Sequence, residues 1–247
     1  DMRSNSNPVV TNADGTKSWS TNPGDYNPKT TTYIGDVKFV DVNGDGIIDE
    51  NDKTKIGSAM PKWTFGWNNT FRYKNLDLTV FVNGSIGNKV GNYMKMKLTH
   101  MNSPWQNQLV DCGNHALLAP KNGQAVDNWY YDASNVIVTN PDCAYPRASI
   151  NDPSDNDVWS DRFIEDGSYL RLKSITLGYT FDKQLIKKLG LTNLRLTLNA
   201  TNLLTITGYD GYDPEIGAST ASQNVYGLDN GRYPAPTSFT FGLNVSF

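Results

Sequence analysis

From Trp63 onward the apolar side chains fall on every second residue: Trp63, Phe65 and Trp67, then Phe71 and Tyr73 after a polar Asn69. Thr64, Gly66, Asn68, Thr70 and Arg72 fill the positions between them. A period of two sends the two sets to opposite faces of an extended chain, so the spacing predicts a strand of about ten residues with one apolar and one polar side. Lys74-Asn75 signals a tight turn, and the alternation restarts as Leu76, Leu78, Val80 and Val82 against Asp77, Thr79, Phe81 and Asn83. Two such runs joined by two residues make a long hairpin. The same pattern predicts a third strand over Ser168 to Phe181, with Ile175, Leu177, Tyr179 and Phe181 on one face and Arg171 and Lys173 near its start. A fourth runs from Asn193 to about Thr205, with Leu194, Leu196, Leu198 and Ala200 opposite Arg195, Thr197, Asn199 and Thr201. The fifth is Ser238 to Phe247, where Phe239, Phe241, Leu243, Val245 and Phe247 alternate with Thr240, Gly242, Asn244 and Ser246.

The connections between these strands alternate in length. Two residues join the first pair, and Asp182 to Thr192 joins the third and fourth strands, with Asp182 suited to cap a short helix through Leu189 and Gly190 to end it. About 80 residues separate the second and third strands and about 30 the fourth and fifth. All short links therefore lie at one end of the sheet and all long ones at the other, as in outer-membrane barrels with short periplasmic turns and long extracellular loops. Strand length agrees, because membrane-spanning barrel strands need roughly 9 to 11 residues and soluble strands usually have about 5 to 6. Aromatic residues near strand ends, Trp63, Tyr73, Tyr169, Phe181 and Phe247, suit interfacial girdles.

A mean hydropathy of −0.52 and the lack of any long apolar run exclude membrane helices, but alternating barrel strands average out as hydrophilic. The net charge of −3, from 22 Lys and Arg against 25 Asp and Glu, gives no basis for a nucleic-acid partner. The expected fold is all-β: the C-terminal antiparallel strands of a large transmembrane β-barrel with long extracellular loops. In that layout residues 1–61 form an extracellular loop, 62–86 a transmembrane hairpin and 87–167 a long extracellular loop. Residues 168–247 supply the last three strands with one periplasmic turn and one extracellular loop. Five strands fall short of the roughly eight that close a small barrel, so the remaining strands come from elsewhere. The chain, opening on Asp1-Met2-Arg3-Ser4, reads as a piece of something longer or as a processed product. The competing fold is a secreted or cell-surface calcium-dependent carbohydrate-binding β-sandwich, whose alternation would face a core.

One motif carries chemistry of its own. Asp41, Asn43 and Asp45 occupy positions 1, 3 and 5 of the pattern D-x-[DN]-x-[DN]-G, and Gly46 supplies the sharp turn at position 6. Ile47 would offer its backbone carbonyl at position 7, Asp49 would act directly or through water at position 9, and Asp52 stands at position 12 where a helix-loop-helix sensor has Glu. The set predicts a structural Ca2+ site, with an acidic, metal-free turn as the alternative. No amphipathic helices flank it.

No catalytic constellation is present: His100 and His115 stand alone, and neither a nucleophile elbow nor a phosphate-binding glycine loop occurs. The expectation is a protein that is not an enzyme. Trp105, Trp129, Tyr130, Tyr131, Trp159, Tyr209 and Tyr212 lie in the connections, where flat rings could stack on a ligand such as a sugar or simply pack the loops. Cys112 and Cys143, 31 residues apart, would form a disulfide in an oxidising compartment or remain two unrelated thiols.

Several segments in succession resemble a known family. Gly35 through Gly46, Ile56-Gly57 and Pro61 through Gly66 are similar to the C-terminal barrel region of SusC-like TonB-dependent outer-membrane transporters. So are Arg162 through Lys173, Asn202-Leu203 with Gly211-Tyr212-Asp213-Pro214-Glu215, and Tyr233-Pro234 with Phe239 through Leu243. The resemblance spans about residues 33 to 247, with little of it between Lys95 and Asp161. It implies a barrel of about 22 strands closed by an N-terminal plug, energised through TonB and covered by a SusD-like surface lipoprotein that helps capture glycans or peptides. This chain would supply the last five strands in contact with outer-membrane lipid, and the rest of the barrel and the plug would be its partners.

Overall fold

The structure is a computed structural model. It describes residues 33–247 apart from Ile47, 125–128, Asp132, Asn151, 153–155 and 218–224, and within the first 32 residues only 9–11, Ala13 and 17–19. Most of the segment expected to be irregular at the start thus lies outside the described residues. In chain order the elements are β1 (Val9–Thr11), β2 (Lys17–Trp19), β3 (Trp63–Tyr73), β4 (Leu76–Ile86), β5 (Lys89–Asn92), α1 (Tyr93–Leu98), β6 (Leu118–Pro120) and β7 (Val136–Val138). They continue with β8 (Ile164–Asp166), β9 (Tyr169–Thr180), α2 (Lys183–Lys187), β10 (Asn193–Thr207), β11 (Leu228–Asp229) and β12 (Ser238–Ser246). Contacts divide the chain into two compact units, residues 1–55 with 95–160 and residues 56–94 with 161–247.

The second unit is built on one five-stranded sheet in the order β12-β10-β9-β4-β3, antiparallel throughout. Its registers carry the sequence alternation across all five strands. Tyr73, Leu76, Tyr179, Leu196 and Leu243 fall in one row, and Phe71, Leu78, Leu177, Leu198 and Phe241 in the next. The row between them holds Arg72, Asp77, Gly178, Thr197 and Gly242 and points to the other side. A slip of one residue on any strand would mix the two faces, which is why strict alternation fixes the pairing.

The apolar face is open. Trp67, Phe71, Tyr179, Leu198, Phe239, Phe241 and Leu243 are all exposed, Phe241 to 81%. A sandwich would cover such a face with a second sheet, and each large apolar side chain left in water forgoes about 1.5–3 kcal/mol of burial. This arrangement suits hydrocarbon and disfavours the sandwich. β3 and β12 form the edges of the sheet, which among the described residues is not closed into a barrel.

The turns follow their sequence signals. Lys74 takes a left-handed conformation in the two-residue link, and Asp182 caps α2 by accepting from the Gln184 amide at 2.9 Å. β10 runs to Thr207, two residues past the expected end, because a register shift between Thr201 and Leu204, with Asn202 at φ +52°, restarts the ladder against β9. At the end carrying the long connections, β5 and β8 pair beyond the main sheet, and β11 joins β5 in parallel. In the first unit β1 pairs with β2, and β6 with β7.

The polar face is held by side-chain bonds between strands. Arg195 on β10 reaches across β9 to Asp77 on β4, with its two terminal nitrogens 2.7 and 2.8 Å from the two carboxylate oxygens. It also donates to Thr180 Oγ1 at 3.1 Å. The strand crossed carries Gly178 at that point, where a Cβ would stand 2.2 Å from the guanidinium. Gly178→Val therefore expels the ion pair while leaving the apolar face unchanged. The expected cost is about 1–3 kcal/mol of overpacking, read as a lower unfolding temperature of the detergent-solubilised protein, with Leu177→Ile on the opposite face near the wild-type value.

Candidate functional site

The calcium-type loop in the first unit is closed by its own carboxylates. Asp41 Oδ1 accepts from the Gly44 amide at 2.6 Å and Oδ2 from the Gly46 amide at 2.8 Å. Asn43 Oδ1 accepts from the Asp45 amide, and Asn43 Nδ2 donates to Asp45 Oδ2, both at 2.9 Å. Gly44 and Gly46 sit at φ +77° and +83°, a conformation glycine adopts without penalty. Asp52 closes the far end by accepting from the Val42 and Asp49 amides, each at 2.8 Å. The Asp49 amide above all, with those of Val42 and Asn43, holds the Asp52 carboxyl below its ordinary pKa. Asp49 is turned toward its own 3-10 turn, Glu50–Asp52, and accepts from the Asn51 amide at 2.7 Å.

Each carboxylate or amide oxygen has more than one acceptor direction, so Asp41, Asn43, Asp45 and Asp52 keep lone-pair capacity beyond these bonds. The donor set is all oxygen, which fits Ca2+. Ile47 lies outside the described residues.

The loop aromatics separate by environment. In the first unit Trp105 is 92% exposed, Trp159 is exposed, and Trp129 is half-buried with its ring edge-on to Tyr130 at 6.0 Å. In the second unit Tyr212 is 74% exposed. Tyr209 corrects the expectation, because it is buried and its hydroxyl donates to Asp229 Oδ2 at 2.7 Å. Burial above all, then the bond to Asp229, pushes its phenol well above the ordinary range. It is a packing residue with no face for a ligand. The expected disulfide is not formed in this structure: both cysteines are free thiols, and Cys112 is turned inward with Sγ 3.5 Å from the Leu98 carbonyl oxygen. Burial pushes its thiol pKa up.

A polar cluster that the strand pattern did not single out binds the loop after β10 back onto the sheet. Arg171, 3% exposed on β9, donates through Nε to Thr205 Oγ1 at 2.9 Å and through Nη1 to Glu215 Oε2 at 2.6 Å. Its Nη2 is bonded to Asp213, and Lys173 Nζ also reaches Glu215 Oε2, at 2.8 Å. Asp213 further accepts from the amides of Glu215 and Ala235, at 2.9 and 3.1 Å. The sequence clue was the spacing of Asp213 and Glu215 around Pro214, with Arg171 and Lys173 two apart on one strand face.

Burial pushes the Asp213 carboxyl up, but Arg171 and the two amides outweigh it and leave the pKa below its ordinary value. A depressed carboxylate stabilises the fold fully above its unfolded pKa of about 3.9 and loses that contribution as pH falls below it. Amide-exchange protection over residues 208–217 should accordingly persist at pH 7 and pH 5 and decline in stronger acid. Asp213→Ala should reduce that protection at neutral pH, by up to about 3 kcal/mol, because Arg171 loses a buried partner.

The chain matches curated proteins over most of its length. It is 33% identical to TonB-dependent receptor P3 of Formosa agariphila over 233 residues, covering 91% of this chain and 21% of that protein. Identity is 32% to TonB-dependent receptor P26 of the same organism, over 87% of this chain and 20% of the relative. To TonB-dependent receptor SusC of Bacteroides thetaiotaomicron it is 27%, over 85% of this chain and 17% of the relative. The chain thus spans about a fifth of the length of these relatives. No protein-family model matches it. Solved structures of the RagAB peptide importer share the fold. The closed-closed state superposes with a TM-score of 0.55 at 20% identity, over 96% of this chain and 20% of that one. The open-open state gives 0.55 at 18%, over 97% and 20%. In sequence this chain is thus similar to about a fifth of the length of the TonB-dependent receptors, SusC among them, and in fold to the matching part of the RagAB peptide importer.

Proposed function

We propose that the chain forms part of the wall and outer loops of a transporter that imports glycans or peptides across the outer membrane. The observation that carries this reading is the similarity to TonB-dependent receptors over about nine-tenths of the chain, joined to a register-matched sheet whose apolar face is exposed. The RagAB peptide importer among the similar structures supports the peptide class, and the glycan class rests on the resemblance to SusC-like transporters. The partners are the remaining barrel and the plug, outer-membrane lipid around the apolar face, a SusD-like surface lipoprotein over the long loops, and TonB acting through a part of the transporter outside these residues. The long connections carry exposed Trp105, Trp159 and Tyr212, which would help guide substrate, with half-buried Trp129 as a further contact. The chain has no assigned chemical step and is not an enzyme in this reading.

The oxygen-lined turn from Asp41 to Asp52 supports a structural Ca2+ ion in the same reading. Asp41, Asn43, Asp45, Asp52 and the Ile47 carbonyl would hold it, with Asp49 directly or through water. Such an ion would stiffen a polar loop that has little core of its own.

Two experiments test these statements. In cells carrying the intact transporter, the protein should fractionate with the outer membrane and co-purify with a surface lipoprotein. Its deletion should abolish growth on one oligosaccharide or peptide source while growth on the monomers continues. Recovery as a soluble secreted protein, or unchanged uptake after deletion, refutes the transporter reading. For the ion, Ca2+ should raise the unfolding temperature of the chelator-stripped transporter, with a dissociation constant on the order of 0.1–1 mM as in extracellular modules. Asp45→Ala should weaken that response at least tenfold, and an equal response in wild type and variant removes calcium from this loop.

A further inference from the structure

A second group of ligand-type side chains meets in the first unit, away from the calcium-type loop. His100, Asp152 and Asp157 each bring one ligand atom within 4.8 Å of the other two. Two of the three are largely shielded, with the side chains of His100 and Asp157 exposed to 12% and 21%. His100 Nε2 has no solvent contact and no hydrogen-bond partner, although it stands 3.2 Å from Asp157 Oδ2. The ring nitrogen and the carboxylate are close but not aligned as donor and acceptor. A buried polar atom left in that state costs free energy unless something else engages it.

The surroundings hold the carboxylates without neutralising them. Asn156, itself buried, donates its backbone amide to Asp152 Oδ2 at 2.8 Å and its side-chain amide to both Asp152 and Asp36. Its own Oδ1 accepts from the Val37 amide at 2.7 Å. The nearby cation, Arg147, is committed to Asp36, with Nε 2.9 Å from Oδ1. Among the described residues no Lys or Arg ion pair to Asp152 or Asp157 is found. Burial above all pushes the Asp152 carboxyl up, and the carboxylates of Asp36 and Asp157 add to the rise against the bonds from Asn156.

We propose that His100, Asp152 and Asp157 bind a divalent transition-metal cation of the Zn2+ type. One imidazole nitrogen and two carboxylate oxygens form a mixed donor set that suits Zn2+, whereas Ca2+ and Mg2+ take oxygen alone. Metal–ligand bonds of about 2.0–2.2 Å place the donors around one ion roughly 3.5 Å apart, so the present spacing needs only small side-chain rotations. Three protein ligands leave one position of a tetrahedral shell for water or a ligand atom. His100 follows α1 and the aspartates lie some 50 residues on, so the ion would tie the beginning of the long connection to its later part. Closing a loop of that length restricts its unfolded ensemble, and the metal would therefore order it.

The test uses the intact transporter in detergent, stripped by chelator and titrated with Zn2+. Wild type should bind one more Zn2+ per chain than His100→Gln, measured by calorimetry and elemental analysis. Asp157→Asn should bind that ion at least tenfold more weakly, and Asp45→Asn in the calcium-type loop should bind it as wild type does. X-ray absorption of the Zn2+-loaded wild type should show a single imidazole in an otherwise oxygen shell, a readout that stands even where a variant fails to fold. Equal Zn2+ content in wild type and a folded His100→Gln, no Zn2+ bound at all, or a shell without imidazole each overturns the assignment.

Discussion

The hydrogen-bonded register of the five strands is the constraint from which the rest follows. In hydrocarbon a backbone amide has no water to turn to, so every strand must find a neighbour, and the neighbour must present its apolar residues on the same side. Both conditions are met at once between β4 and β9 and between β9 and β10, where Leu78, Leu177 and Leu198 share a row. At the edges, β3 and β12, the condition is left open within this sheet. That requirement fits the small number of fully buried apolar side chains among the described residues, since the apolar face of the sheet is left open.

The opposite face and the loops are ordered by different forces. Across the sheet, the Arg195–Asp77 pair spans three strands over the gap that Gly178 leaves, and Thr176 donates to Asn199 at 2.9 Å. Above the sheet, Arg171 and Tyr209 fix the returning loops through Asp213, Glu215 and Asp229. These groups are polar, specific in direction and mostly one of a kind. A lipid-facing wall needs only pattern, whereas a loop without a core needs particular partners.

That difference decides what the sequence reveals. Period-two alternation located all five long strands within a few residues, because faces repeat and each residue votes for the same answer. The helix cap at Asp182 was legible for the same local reason. The shift at Thr201–Leu204 was not read, although its trace lies in β9, where the apolar positions change phase from Leu170 and Leu172 to Ile175 and Leu177. Tyr209 looked like a binding aromatic because composition does not record that Asp229 waits 20 residues on. His100 looked solitary for a similar reason: its neighbours Asp152 and Asp157 are remote in sequence and become adjacent only when the long connection folds.

The pairing of β5 with β8 just beyond the main sheet has a consequence for how such proteins change over time. Lys89 sits opposite Asp166, so the connection between β4 and β9 is pinched at its base before it opens. Beyond the pinch, each doubling of loop length adds only about 0.6 kcal/mol of closure entropy. Insertions there leave the pairing of β4 with β9 almost untouched. The long connection is thus free to vary in length and composition while the paired strands stay under the strict rules of their register.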